Sequence, residues 1–136
     1  MRAVVLDNES VQALRDEHHP KHRRVLAHLT GIVGRRQRGR EVSAIVPTSV
    51  RVEAGWDRTQ PEAAAINRFR VGDHALDAAS ANLAAAIADE LGVGVADAHT
   101  GAAIRSLPHD EVVVLTSDPD DITRVAGGRP VRPVRV

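Results

Sequence analysis

A chain of 136 residues, 43% of them hydrophobic, is long enough for one domain with a real core, spanning residues 1–136, and too apolar to be disordered. The absence of cysteine excludes a disulfide framework and a thiolate metal site, and suits a reducing cytoplasm, the expected compartment. No stretch approaches the ~20 apolar residues of a membrane-spanning helix, and no long apolar run follows Arg2 as a signal peptide requires. Formal net charge is zero, but Arg15–Arg40 carries eight cations against Asp16 and Glu17, whereas Asp57 to the end carries twelve acids against eight arginines.

In chain order, Arg2–Leu6 is a short β-branched run that reads as a buried strand ended by Asp7-Asn8. Glu9–His18 reads as a short helix through Val11 and Leu14. Pro20 suits the first turn of the next helix, an amphipathic one from about His22 to Arg36 whose stripe is Val25, Leu26, Leu29, Ile32 and Val33. Val42–Val46 is a second strand. Thr48 is expected to cap a short helix bearing Val50, Glu53 and Ala54, and Thr59 with Pro61 and Glu62 to start another. Asn67–Gly72 reads as strand or loop, and Asp73 as the lead into a long alanine-rich helix closed by Gly92. Val93–Ala96 reads as an extended approach to a helix over Asp97–Ser106. Val112–Thr116 is a strand too apolar on both faces to be an edge. Ser117 or Asp118 caps a last helix reaching Val125, and Val131–Val136, alternating apolar residues with Arg and Pro, is an edge strand. Strands alternating with helices imply an α/β fold, a three-layer α/β/α sandwich on a mostly parallel sheet.

Four acids stand out by position: Asp7, Glu53, Asp97 and Asp118 lie at or near the ends of apolar segments. In open α/β sheets, sites form outside the carboxyl ends of the strands, so these acids are candidates for one converging site. Each also has a plainer role. Asp7, Asp97 and Asp118 are good helix caps, and Glu53 sits near Arg51 as a surface ion pair would. The most pointed segment is Thr116-Ser117-Asp118-Pro119-Asp120-Asp121, where three carboxylates within four residues repel one another unless a cation neutralises them. His18, His19 and His22 carry no H-E-x-x-H pattern and fit a helix–helix turn better than a metal site. A haloacid-dehalogenase-type phosphatase or a response-regulator receiver would need a late lysine, and Lys21 is the only lysine.

In order and spacing, the segments VVLDNESVQAL, VPTSVRVEAG, VADAHTGAAI and LTSDPDDI resemble those of PIN-domain nucleases, and among them the VapC-type toxins of prokaryotic toxin–antitoxin pairs. The resemblance covers nearly the whole chain. It implies metal-binding and catalytic roles for Asp7, Glu53, Asp97 and Asp118, a further metal-site acid in Asp121 with Asp120 beside it, and a site hydroxyl in Ser117. Glu9 departs from the pattern, since many members have Ser or Thr there. The resemblance further implies a Mg²⁺- or Mn²⁺-dependent endoribonuclease, an RNA substrate, a homodimer and a cognate antitoxin whose tail blocks the site. The alternative is a PIN-like scaffold that binds RNA or a partner without cutting. Two expectations concern surfaces: Arg35, Arg36 and Arg38 position RNA phosphates, and an uncovered stripe of Val25, Leu29, Ile32 and Val33 is a partner site.

Overall fold

The computed structural model describes residues 1–136. Five strands, β1 (Arg2–Leu6), β2 (Val42–Pro47), β3 (Val71–His74), β4 (Glu111–Thr116) and β5 (Arg132–Arg135), form one sheet in the order β3-β2-β1-β4-β5. All four pairings are parallel, with Arg2 opposite both Val42 and Glu111. Seven helices connect and cover them: α1 (Asn8–Arg15), α2 (His22–Gln37), α3 (Thr48–Glu53), α4 (Ala64–Asn67), α5 (Ala78–Leu91), α6 (Val95–Ser106) and α7 (Pro119–Ala126). No helix is long and apolar enough to cross a membrane.

The period-two alternation of the strands creates the layers. Val4, Leu6, Val46, Val113 and Leu115 point to one face, where they bury against Val11 and Leu14 of α1 and Val25, Leu29 and Ile32 of α2. Ala3, Val5, Val112 and Val114 point to the other, against Ile104 of α6 and Ile122 and Ala126 of α7. A smaller cluster joins α5 to α6 and α7 through Ala84, Ile87, Ala98, Ala102 and Val125. Helices on both faces of a parallel sheet make this the expected three-layer α/β/α sandwich.

Strand order reverses direction at β1, with β2 on one side and β4 on the other. The carboxyl ends of β1 and β4 therefore flank the crevice where such sheets place their sites.

Several local expectations are corrected by longer-range packing. Thr48 is not a cap: Pro47 precedes α3, and the Thr48 hydroxyl instead accepts the backbone N–H of Leu76 at 3.1 Å. Thr59 donates to Asp57 rather than capping, and a single 3-10 turn (Pro61–Ala63) leads into α4. Asp73 lies inside β3, where it takes the guanidinium groups of Arg51 and Arg58, and the cap of α5 is Asp77, whose carboxylate accepts Ser80 N–H. Residues 93–96 form no strand, because α6 already begins at Val95 after a Gly94 cap. Asp97 therefore lies within the first turn of α6 rather than at its cap.

The stripe of α2 is not uncovered. Val25, Leu29 and Ile32 are buried against the sheet. Of the arginine run at the end of α2, Arg36 is differently employed. Arg36 donates to the carbonyls of Val42 and Phe69 at 2.9 and 2.7 Å, a structural role. Arg35 and Arg40 flank the strand starts Arg2, Val42 and Glu111, at the edge of the sheet opposite the crevice.

A candidate carboxylate site at the crevice

Asp7, Glu53, Asp97, Asp118 and Asp121 line one cleft of about 220 Å³ at the carboxyl edge of the sheet, with no lysine or arginine among its walls. Four separate elements deliver them. Asp7 follows β1, Glu53 ends α3, Asp97 sits in the first turn of α6, and Asp118 follows β4 and caps α7. The electrostatics report the same convergence. Partial burial pushes the Asp97 carboxyl above its ordinary range, and the charges of Glu53, Asp7 and Asp118 push it further. Asp121 is also raised, chiefly by its hydrogen bond with Asp118.

The plainer cap roles hold as well. Asp7 Oδ1 accepts Ser10 N–H at 2.9 Å and shares the Ser10 hydroxyl, also at 2.9 Å, with the nearer Leu115 carbonyl at 2.6 Å, which leaves Oδ2 free of hydrogen bonds. Asp118 Oδ1 accepts Asp121 N–H at 3.2 Å, and Asp118 N–H is held by Thr116 Oγ1 at 2.9 Å. A cap bond occupies one oxygen and fixes the direction of the other, so capping and site roles coexist in one carboxylate.

Glu53 is not the partner of Arg51, which turns to Asp73. It accepts the amide of Asn8 at 2.5 Å, and Asn8 is in turn held by Gln12. Asn8 is thus a site residue that its sequence position marked only as a strand-ending neighbour of Asp7. Glu9 lines the cleft but leans away from it, 3.3 Å from His19 Nε2 and 3.4 Å from the Lys21 ammonium. The histidine cluster belongs to the α1–α2 turn: His22 Nδ1 bonds the carbonyl of Ala13, and His18 is exposed. Asp120 is exposed and stands outside the cleft.

A polar chain centred on a buried histidine ties α3 to α6, the helices that carry Glu53 and Asp97. His99, fully buried on α6 two residues after Asp97, meets Ser49 of α3, with the Ser49 hydroxyl at 2.7 Å and its N–H at 3.4 Å from Nδ1. Nδ1 therefore accepts, and Nε2–H is left to donate to His74 Nδ1 at 3.1 Å. Burial lowers the His99 pKa to about 4, with the neighbouring His74 adding to the shift, so the chain is neutral at pH 7.

As placed, the carboxylates line the cleft rather than close on one point, and no three His, Asp or Glu side chains are near enough to chelate an ion between them. An all-oxygen, anionic donor set of this spread fits a hard cation that keeps several waters. Mg²⁺ is such an ion, commonly held by one or two carboxylates plus substrate phosphates.

No protein-family model matches the chain, and no curated protein matches it in sequence. The fold is similar to that of a chain in the crystal structure of VapBC2 from Rickettsia felis bound to a DNA fragment from their promoter. The superposition has a TM-score of 0.59 and covers 98% of each chain at 11% identity, a likeness of fold. The fold is thus a PIN-like α/β/α sandwich with an acidic cleft at its crevice.

Proposed function

We propose that residues 1–136 form a metal-dependent endoribonuclease, the toxin of a type II toxin–antitoxin pair. One observation carries the reading: four carboxylates from four elements share one cation-free cleft at the crevice of a PIN-like sheet. Asp7, Asp97 and Asp118, with Glu53 and Asp121, would hold Mg²⁺ or Mn²⁺. A divalent cation bound there supplies Lewis-acid polarisation of a phosphoryl oxygen and of the attacking water. Asn8 orients Glu53, and the Ser10 and Thr116 bonds orient Asp7 and the Asp118 backbone; these acids would draw closer together to share an ion. Ser117 presents a hydroxyl at the rim that can donate to a phosphate oxygen.

The partners follow from the fold likeness and from two surfaces. VapBC2 was crystallised on promoter DNA, and by that likeness an antitoxin is the partner expected here. A groove of about 680 Å³ between α1, α2 and α4, with Leu14, Leu26, Ile66 and Phe69 on its walls and charges around them, suits an amphipathic segment of such a protein. The exposed Val52, Leu76 and Val95 beside the cleft, rather than the buried stripe of α2, support a homodimer through that face.

The test is cleavage of single-stranded RNA by partner-free protein, with Mg²⁺ or Mn²⁺ and with EDTA. Metal-dependent cleavage is expected, and failure with every divalent metal sinks the proposal. The wide spacing of the carboxylates favours a second reading, a PIN-like scaffold that holds RNA or a partner without cutting. RNA binding without cleavage under any metal would identify it.

A further inference from the structure

Helices α1 and α2, with α3 and α4 beside them, cover one face of the five-stranded sheet, and β5 at its edge is left beyond them. Between α2 and this edge runs a groove of about 110 Å³, floored by Val113, Leu115 and Val134 and edged by Arg2, His28, Arg35 and Arg132. The charges on its own walls are all basic, with Glu111 and Glu41 lying at its amino-terminal end. No acid occurs between Glu17 and Glu41, the segment that contains all of α2, and none occurs after Asp121, the segment that contains β5. Arg24 and Arg35 have no carboxylate partner, and both act on His28, whose pKa is lowered by burial first and by these two cations next. The acid that Arg132 approaches, Glu111 at 3.9 Å, is already engaged by Arg2 at 2.9 Å.

Strand β5 runs from the groove toward the crevice. Arg132 lies beside Val113 and Arg135 beside Thr116, about 10 Å apart at roughly 3.3 Å per residue, and the alternation of side chains puts Arg135 on the face opposite Arg132 and Val134. Arg135 Nη1 then donates to the carbonyl of Ser117, a residue of the cleft wall, at 3.1 Å.

We propose that the α2–β5 groove is a second anchoring site for single-stranded RNA, in which Arg35 and Arg132 of its walls, with Arg24 one turn along α2 from His28, hold the phosphates of the strand that leaves the carboxylate cleft along β5. The inference rests on the nuclease reading of the cleft and deepens it. Phosphate is the matching chemistry because the groove walls offer several guanidinium forks and no competing carboxylate of their own. The apolar floor tolerates a base face without selecting one. Arg36 and Arg38 are not part of the track, since Arg36 is spent on backbone carbonyls and Arg38 lies past the end of α2.

The experiment measures the affinity of an unstructured oligoribonucleotide as a function of salt, in an Asp97→Asn background that prevents cutting. Adding Arg24→Gln, Arg35→Gln and Arg132→Gln should lower the slope of log affinity against log salt by about 2, at roughly 0.7 for each single-strand phosphate that the protein no longer neutralises. The corresponding triple lysine variant should restore the slope, because a point charge suffices for counterion release, whereas a folding defect would not be rescued this way. In the protein with Asp97 intact, cleavage of a dinucleotide should be unaffected by the glutamine changes while cleavage of a long strand falls. An unchanged slope with RNA still bound overturns the groove and leaves the nuclease reading standing. Absence of RNA binding in the parent overturns both. Loss of binding to a polyglutamate probe with RNA affinity intact makes the groove a site for an acidic protein segment and overturns the RNA assignment.

Discussion

Asp97 carries two opposed demands, a helical position and a shared negative field, and these can be separated by one substitution. Its folded pKa is raised by burial and by Glu53, Asp7 and Asp118, so the proton-bound form is favoured in the folded state. That contribution to stability is present at acid pH and is lost as pH rises through the raised pKa. Asp97→Asn removes the charge, so the metal-free variant should melt above the wild type at pH 7, while RNA cleavage falls by at least ~100-fold. Differential scanning calorimetry beside a cleavage assay checks both; a lower melting temperature would make Asp97 a structural acid. His99 has the opposite sign. Its pKa falls to about 4 from the ordinary 6.5, so the unfolded chain binds the extra proton and stability is lost as pH drops from about 6.5 toward 4. The loss should be on the order of 1–3 kcal/mol for a group this buried. Melting temperatures at pH 7.5 and 5 should differ by several degrees in the wild type and by less in His99→Gln; equal shifts in both would assign the acid sensitivity elsewhere.

Helix α6 gathers the site because it crosses α3, α5 and α7 closely, and small residues permit that approach. A Cβ built on Gly101 would stand 2.7 Å from the Val125 carbonyl oxygen and 2.9 Å from the Val125 Cβ, across the α6–α7 contact. Helix propensity favours alanine by up to ~1 kcal/mol, but the clash involves backbone that no rotamer change relieves, and overpacking costs about 1–3 kcal/mol. Gly101→Ala should therefore destabilise the protein and displace the α7 carboxylates from those of α6. The control is Gly31→Ala in α2, where nothing lies within 4 Å of the added methyl group and propensity alone should act. Chemical denaturation is expected to rank Gly31→Ala above the wild type and Gly101→Ala below it; the same order reversed would mean that α7 yields freely.

On the whole-molecule scale, three of the four large apolar side chains left exposed lie on one side, Met1 being the fourth. Val52 is 82% exposed and Val95 66%. Leu76 joins them, and α5 beside it shows solvent a face with no charged side chain from Ala78 to Ala88. A chain with 26% charged residues has ample means to hydrate such a face, and its bareness marks association. The expected outcome is a dimer in sedimentation velocity, converted to a monomer by Val52→Glu with Val95→Glu. A wild-type monomer of 14.6 kDa at high concentration would refute it. The proximity of this face to Glu53 predicts that the monomeric double variant also loses activity on long RNA.

Periodicity and end signals are local, and the features that depend on them were legible in the residues themselves. The apolar runs at Arg2–Leu6 and Val112–Thr116 could only be buried strands, and Asp7 and Asp118 could act as caps because a cap needs only its own next turn. The order of elements was enough for an α/β sandwich. Tertiary structure decided whatever depends on a residue far along the chain. Thr48 serves Leu76 instead of its own helix, Asp73 joins a strand to meet Arg51 and Arg58, and Asn8 finds Glu53 forty-five positions away. The stripe of α2 disappears beneath the sheet, and its arginines are carried to the opposite edge and to the β5 groove. No spacing rule encodes those partnerships, because parallel strands meet only through crossovers, and the four carboxylates become neighbours only when β1 and β4 close side by side.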